Sequence, residues 1–211
     1  MNRCVLLLVS LCVLPFLLTL AASPLPAQTP PAPNSQPAPQ AQFSYAAQIP
    51  ASFVHNLIFI PVRINGGSPS FFELDSSAEK TSIEPARAKE LGLAITPAQT
   101  VNQVELTMPG LRLGIGAIPV IERKNFAETT GMAAHGVLGR DFLDHAVIVV
   151  DYLRQTVQVL DPATYKYNGQ GKAFPITGSA SSALIRAKGD ISGRKSFDGD
   201  FEINTDRRAH V

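Results

Sequence analysis

Beyond residue 12 the sequence has no cysteine, because both thiols, Cys4 and Cys12, fall in its first segment. A processed chain therefore has no disulfide, no thiol nucleophile and no cysteine metal site, and its fold must stand on apolar burial alone. An excess of charge of one sign is missing too. The net charge is +1 over 211 residues and the pI is near 7.8, which leaves no basic face for nucleic acid and no charged tail. Also absent are Gly-x-Ser-x-Gly, a phosphate-binding loop and His-Glu-x-x-His, so the common serine-hydrolase, nucleotide and zinc-protease constellations are excluded. The histidines, His55, His135, His145 and His210, are scattered without ligand spacing. No metal and no cofactor are expected.

The N-terminus is the first feature that carries information. Arg3 supplies a positive start, Val5 to Leu20 is a nearly unbroken apolar run, and small residues follow at Ala21-Ala22-Ser23 and Ala27. This is the pattern of a signal peptide over residues 1–27, so the chain is expected to be exported and periplasmic or secreted. The alternative is an uncleaved membrane anchor, although about 16 apolar residues is short for a span that takes roughly 20. No other membrane association is expected. Residues 28–48 are rich in proline and nearly free of charge, a composition that favours extended backbone and cannot offset its ordering entropy by burial. They read as a linker, with a ligand for a proline-recognising module as the alternative.

A folded lobe is expected over residues 49–162. Leu57 to Ile64 reads as a strand, Asn65 to Ser70 as a turn and Phe71 to Leu74 as the return strand, so this hairpin is aimed at Asp75. Ser82 is placed to cap a short helix with Pro85 in its first turn, stopped by Gly92. Strands are expected at Val104 to Met108, Leu111 to Leu113 and Ala117 to Ile121, with Gly114-Ile115-Gly116 as a flexible turn. Gly136 to Gly139 brackets an apolar pair and leads into a short helical turn. Ala146 to Val150 and Thr156 to Leu160 form a second hairpin. Asp141 and Asp151 stand at boundaries where they would cap turns. Short strands with frequent turn signals predict a mainly β domain, a small closed antiparallel barrel with one or two short helices.

Three stretches then carry a resemblance. Phe71-Phe72-Glu73-Leu74-Asp75-Ser76-Ser77-Ala78, the helix ending Ala88-Lys89-Glu90-Leu91-Gly92, and Val137-Leu138-Gly139-Arg140-Asp141-Phe142-Leu143, in that order, resemble the retropepsin-like aspartic peptidases. The resemblance covers about residues 50–161 and implies an acid-protease type barrel. It also implies an endopeptidase in which two facing carboxylates share a proton and activate a water. By this resemblance Asp75 is the catalytic carboxylate and Ser76, Ser77 and Ala78 complete its loop. Ser76 braces that loop against a second one, while Val137, Leu138 and Gly139 support it from beneath. The substrate would be a peptide or protein. One lobe supplies one carboxylate, so a homodimer is expected if the chain is catalytic. Ser77 departs from the family's glycine; it keeps the amide but adds a Cβ and a hydroxyl, and is expected to strain the loop.

Residues 163–211 read as a β-rich tail. Phe201-Glu202-Ile203-Asn204-Thr205-Asp206 echoes Phe72-Glu73-Leu74-Asp75 at a constant offset, either as the start of a second lobe or as a chance likeness in an appendage. The residue matching Asp75 is Asn204, an amide that can neither share a proton nor act as a base, so this would be a degenerate second site. Asp206 lies roughly 6.6 Å further along such a strand, too far to replace it. Two functions remain: an aspartic endopeptidase, or an inactive relative that binds extended peptides.

Overall fold

The computed structural model describes residues 40–179, 182–190, 192–193 and 195–205. The expected signal peptide, most of the proline-rich segment, and Asp206 and His210 lie outside them. No helix among the described residues is long and apolar enough to cross a membrane.

The architecture is mainly β. The first strands are β1 (Gln40–Phe43), β2 (Ala47–Ile49), β3 (Ser52–Val54), β4 (Leu57–Ile64), β5 (Ser70–Leu74) and β6 (Ser82–Ile83). Helix α1 (Pro85–Glu90), β7 (Thr100–Met108), β8 (Leu111–Pro119), α2 (Phe126–Thr130), β9 (Gly136–Leu138) and α3 (Arg140–Leu143) follow. The chain continues with β10 (Val147–Asp151), β11 (Thr156–Leu160), β12 (Ile176–Ser179), β13 (Ser182–Gly189) and β14 (Phe197–Glu202). An eight-stranded sheet runs β1-β8-β7-β4-β5-β9-β6 with β3 on β4, and two three-stranded sheets run β10-β11-β2 and β12-β13-β14.

Strand β4 organises the interior because it is apolar on both faces. Ile58, Ile60, Val62 and Ile64 enter the main core with Phe72, Leu74, Leu138 and Phe142. Leu57 and Phe59 face a smaller cluster with Ala134, against which Phe71 and Phe126 pack. A continuous apolar run of this length is what a doubly buried strand requires. Asn65 and Gly66 turn it back with positive φ values of 47° and 74°, the left-handed pair that joins β-strands tightly. The return strand β5 registers Phe72 on Ile60 and Glu73 on Phe59.

Four expectations change. Strands begin at Gln40, inside the segment read as linker, because β1 pairs with β8 and β2 with β11; Phe43, Ala47 and Ile49 give these strands apolar residues to bury. Ser82 lies in β6, its backbone engaged with Val137, so the N-cap of α1 is Glu84, which makes no side-chain cap bond, and the helix starts on Pro85. Gly114-Ile115-Gly116 is mid-strand in β8, and the turn lies at Pro109-Gly110, where Gly110 has a φ of 80°. Among the described residues no sheet closes into a ring. The edge strand β6 returns to the chain just past β8 through an isolated bridge between Ile83 and Val120, with the Ile121 amide donating to the Ile83 carbonyl at 2.9 Å.

Candidate active site

The Asp75 loop is set by the end of β5. Strand β9 lies parallel beside β5, with Glu73 opposite Val137 and Leu74 opposite Leu138, and the Asp75 amide continues this ladder by donating to the Leu138 carbonyl at 3.0 Å. Two glycines make the close packing possible. A Cβ on Gly136 would lie 2.2 Å from the Ser82 carbonyl oxygen and 2.3 Å from the Phe72 ring, and one on Gly139 would lie 2.6 Å from the Lys80 backbone. Thr81, fully buried, donates its hydroxyl to Asp141 Oδ1 at 2.7 Å and accepts the Gly139 amide at 3.2 Å. The Arg140 amide donates to the Ala78 carbonyl at 2.8 Å. Val137, Leu138 and Gly139 thus lie directly against the loop, and Asp141 joins its far end to α3.

Within the loop, Asp75 Oδ1 accepts the Ser77 amide at 2.7 Å, the Ser77 hydroxyl at 2.7 Å and the Ala78 amide at 3.1 Å. Three donors on one oxygen fix the carboxylate's orientation. Ser77 is not among the residues with positive φ, so its Cβ meets none of the left-handed penalty that would call for glycine. The backbone at Ser77 is thus free of left-handed strain, and the serine contributes an extra donor to Asp75.

Ser76 reaches across to the tail. Its hydroxyl donates to the Ile203 carbonyl at 2.8 Å and its amide donates to Thr205 Oγ1 at 3.0 Å. In return the Thr205 hydroxyl donates to the Leu74 carbonyl at 2.7 Å and the Thr205 amide donates to Ser76 Oγ at 3.2 Å. Residues 76 and 205 stand 129 apart, the same spacing that relates Leu74 to Ile203 and Asp75 to Asn204. The four bonds exchange under that relation, so the two loops clasp each other with local two-fold pseudosymmetry. The supporting hairpins match as well, since Glu73 lies opposite Phe59 and Glu202 opposite Leu184. The echo in the tail is structural, and Asn204 holds in its loop the place that Asp75 holds in the first.

Thr205 is the site residue that sequence reasoning left without a role. Its signal was available: carrying the echo one residue further maps Ser76 onto Thr205, a second hydroxyl suited to the same reciprocal bond. Glu73 and Arg123 were also unassigned. Glu73 is 3% exposed and is paired with Arg123, whose guanidinium lies 3.4 Å over the centre of the Phe126 ring. This buried pair ties α2 to the strand that carries Asp75. His135 backs the same region through its amide, which donates to the Phe71 carbonyl at 2.8 Å. Its ring lies 3.9 Å from Glu84, whose carboxyl is raised above its ordinary pKa by burial, the charges of His135 and Arg123 opposing that shift.

No family model matches the sequence, and no curated protein matches it. Among solved structures, the chain is similar to a retropepsin-like aspartic protease from Rickettsia conorii, with 13% identity and a TM-score of 0.38 over 58% of this chain and 92% of that one. It is also similar to the retroviral protease-like domain of Ddi1 from Leishmania major, with 17% identity and a TM-score of 0.37 over 55% of this chain and 98% of that one.

Proposed function

We propose that the chain is an exported protein of the aspartic-peptidase type whose paired loops hold an extended peptide without cleaving it. The observation that carries this reading is the reciprocal clasp of Ser76 and Thr205. By the pseudosymmetry of that clasp the position related to Asp75 is this chain's own Asn204, and on this reading a second copy is not required to complete the site. Acid-base hydrolysis by this kind of site needs two carboxylates that share a proton, one to activate water and one to protonate the leaving group. Asn204 supplies an amide, which offers hydrogen bonds to a peptide backbone but no proton exchange. Asp75, oriented by three donors, anchors the bound peptide rather than attacking through water.

The endopeptidase reading has one observation in its favour. Asp75 and the whole of its support, from Leu138 through Gly139 to Thr81, are intact. On that reading the second carboxylate comes from Asp75 of another copy, or from a residue other than Asn204. A quenched-peptide library screened from about pH 3 to 7 separates the two. The binding reading expects no cleavage by the natural sequence, saturable peptide binding, and new cleavage by Asn204→Asp that disappears in Asp75→Asn/Asn204→Asp. Cleavage by the natural sequence that is lost in Asp75→Asn sinks it in favour of the endopeptidase.

A further inference from the structure

The edge of a β-sheet presents unpaired amides and carbonyls, and an edge that stays open is kept short or guarded with charge, proline or a bulge. Most edges among the described residues follow that rule. Strand β14 carries Asp198, Asp200 and Glu202, β12 is four residues long and weakened by Gly178, β2 has three residues, and β6 is joined to the chain after β8 by the bridge of Ile83 with Val120. Strand β10 is different. It ends the β10-β11-β2 sheet, its ladder runs to β11 alone, and it reads Val147-Ile148-Val149-Val150-Asp151 without proline, glycine or lysine. All five side chains are partly exposed. Its one charged residue, Asp151, is already held by Arg154, which donates from its amide at 2.9 Å and from Nη1 at 2.7 Å. The turn that follows adds Tyr152 and Leu153, 49% and 92% exposed.

An open edge calls for another strand, and the sequence of this one is its own complement. A two-fold axis normal to the sheet at Val149 sets two β10 strands antiparallel and pairs odd-numbered residues with odd ones, so each face of the sheet continues across the seam. Val149 then meets itself, Ile148 meets Val150, and Val147 meets Asp151, which opposes no two charges of one sign and pairs β-branched side chains along the seam. Ile148 and Val150 lie opposite Val159 and Val157 of β11, and the pairing extends that apolar inner face into the second copy. We infer that the chain forms a two-fold dimer in which β10 pairs with β10 of a second copy, joining two three-stranded sheets into one of six strands. The seam is a single strand long and falls below the roughly 1,200 Å² of a standard interface, so the dimer is weak, with a Kd on the order of 10–100 μM. The clasp of Ser76 with Thr205 stays within each copy.

Sedimentation velocity of the full chain from about 1 to about 300 μM tests this, and the natural sequence should pass from monomer to dimer across that range. Val149 is not among the residues packed on the main core, so Val149→Lys and Val149→Glu alter the seam alone. Each sets like charges against each other at the two-fold and should weaken the dimer by about tenfold or more, whereas an equal mixture of the two variants should recover a mixed dimer. A measurement on the natural sequence keeps the test decisive if either variant does not fold: exchange of the β10 amides should slow at the high concentration, and exchange of the β14 amides should not. A natural sequence that stays monomeric throughout, folded variants that dimerise as it does, a mixture that stays monomeric, or β10 exchange that is independent of concentration overturns the inference. None of these outcomes depends on whether the site cleaves peptides.

Discussion

Ser77 shows how much of this site turns on single side chains. In place of a glycine it gives Asp75 Oδ1 a hydroxyl donor in addition to the amide, without positive φ. Restoring glycine should therefore weaken the fold: Ser77→Gly loses a hydrogen bond to a carboxylate and frees the unfolded backbone, together about 1–2 kcal/mol in urea denaturation. A stabilised Ser77→Gly variant would mean that the serine strains the loop after all. Glu84 supplies a pH-dependent counterpart. Burial raises its folded pKa above the ordinary 4.5, so the folded chain holds this proton more tightly than the unfolded chain does. Its contribution is favourable below the ordinary value and is lost as pH rises through the raised one. Glu84→Gln is thus expected to stabilise the protein near neutral pH by about 0.5 kcal/mol, a modest figure because solvent screens this part-exposed group. Thermal melts should show that gain shrink to nothing at about pH 3.5; a gain that is constant across this range would contradict the assignment.

Elements were legible in the sequence where burial or steric need left a pattern. The doubly buried β4 is a continuous apolar run, and the glycines around Val137-Leu138 mark a strand that nothing larger would let approach Phe72 and the Lys80 backbone. Gly136→Ala is accordingly expected to cost about 2 kcal/mol or more, since its Cβ would meet the Ser82 carbonyl and the Phe72 ring, both held by the core. A chemical denaturation midpoint within error of the natural sequence would show that β9 has room to shift. Other elements were hidden because their cause lies elsewhere in the chain. Strands β1 and β2 are only four and three residues long, lie in a proline-rich stretch, and form because β8 and β11 offer them edges. Gly114 and Gly116 look like turn residues but sit in a long strand covered by its neighbours. Helix α2 is only five residues long and its N-cap, Asn125, makes no side-chain cap bond; Phe126 is held by Phe59 and by the Arg123 guanidinium above its ring. The site divides the same way: Asp75 was readable from its flanking residues, whereas the pairing of Ser76 with Thr205 needed the fold.

On the scale of the molecule, the two halves of the clasp rest on unequal foundations. The Asp75 loop grows from strands whose residues are almost all buried, while in β12–β14 Ala183 is the one buried hydrophobic residue among those described. A sheet with so little core opens locally at low cost, and its stability depends on what ties it to the rest. The bonds from Thr205 to Leu74 and Ser76 form that tie at the end of β14. Amide exchange should therefore fall into two groups, with β12–β14 exchanging through a low-energy opening and β4, β5 and β9 through global unfolding. Thr205→Val keeps the shape but removes the hydroxyl, and should accelerate exchange across β13 and β14 by about tenfold or more, the loss of one to two hydrogen bonds, with little change in β4. If the substitution slows or speeds both groups alike, the two halves unfold as one unit and the clasp is not what couples them. If β13 and β14 alone respond, the tail sheet opens independently of the strands that carry Asp75, and the bonds between Thr205, Leu74 and Ser76 are what couple the two.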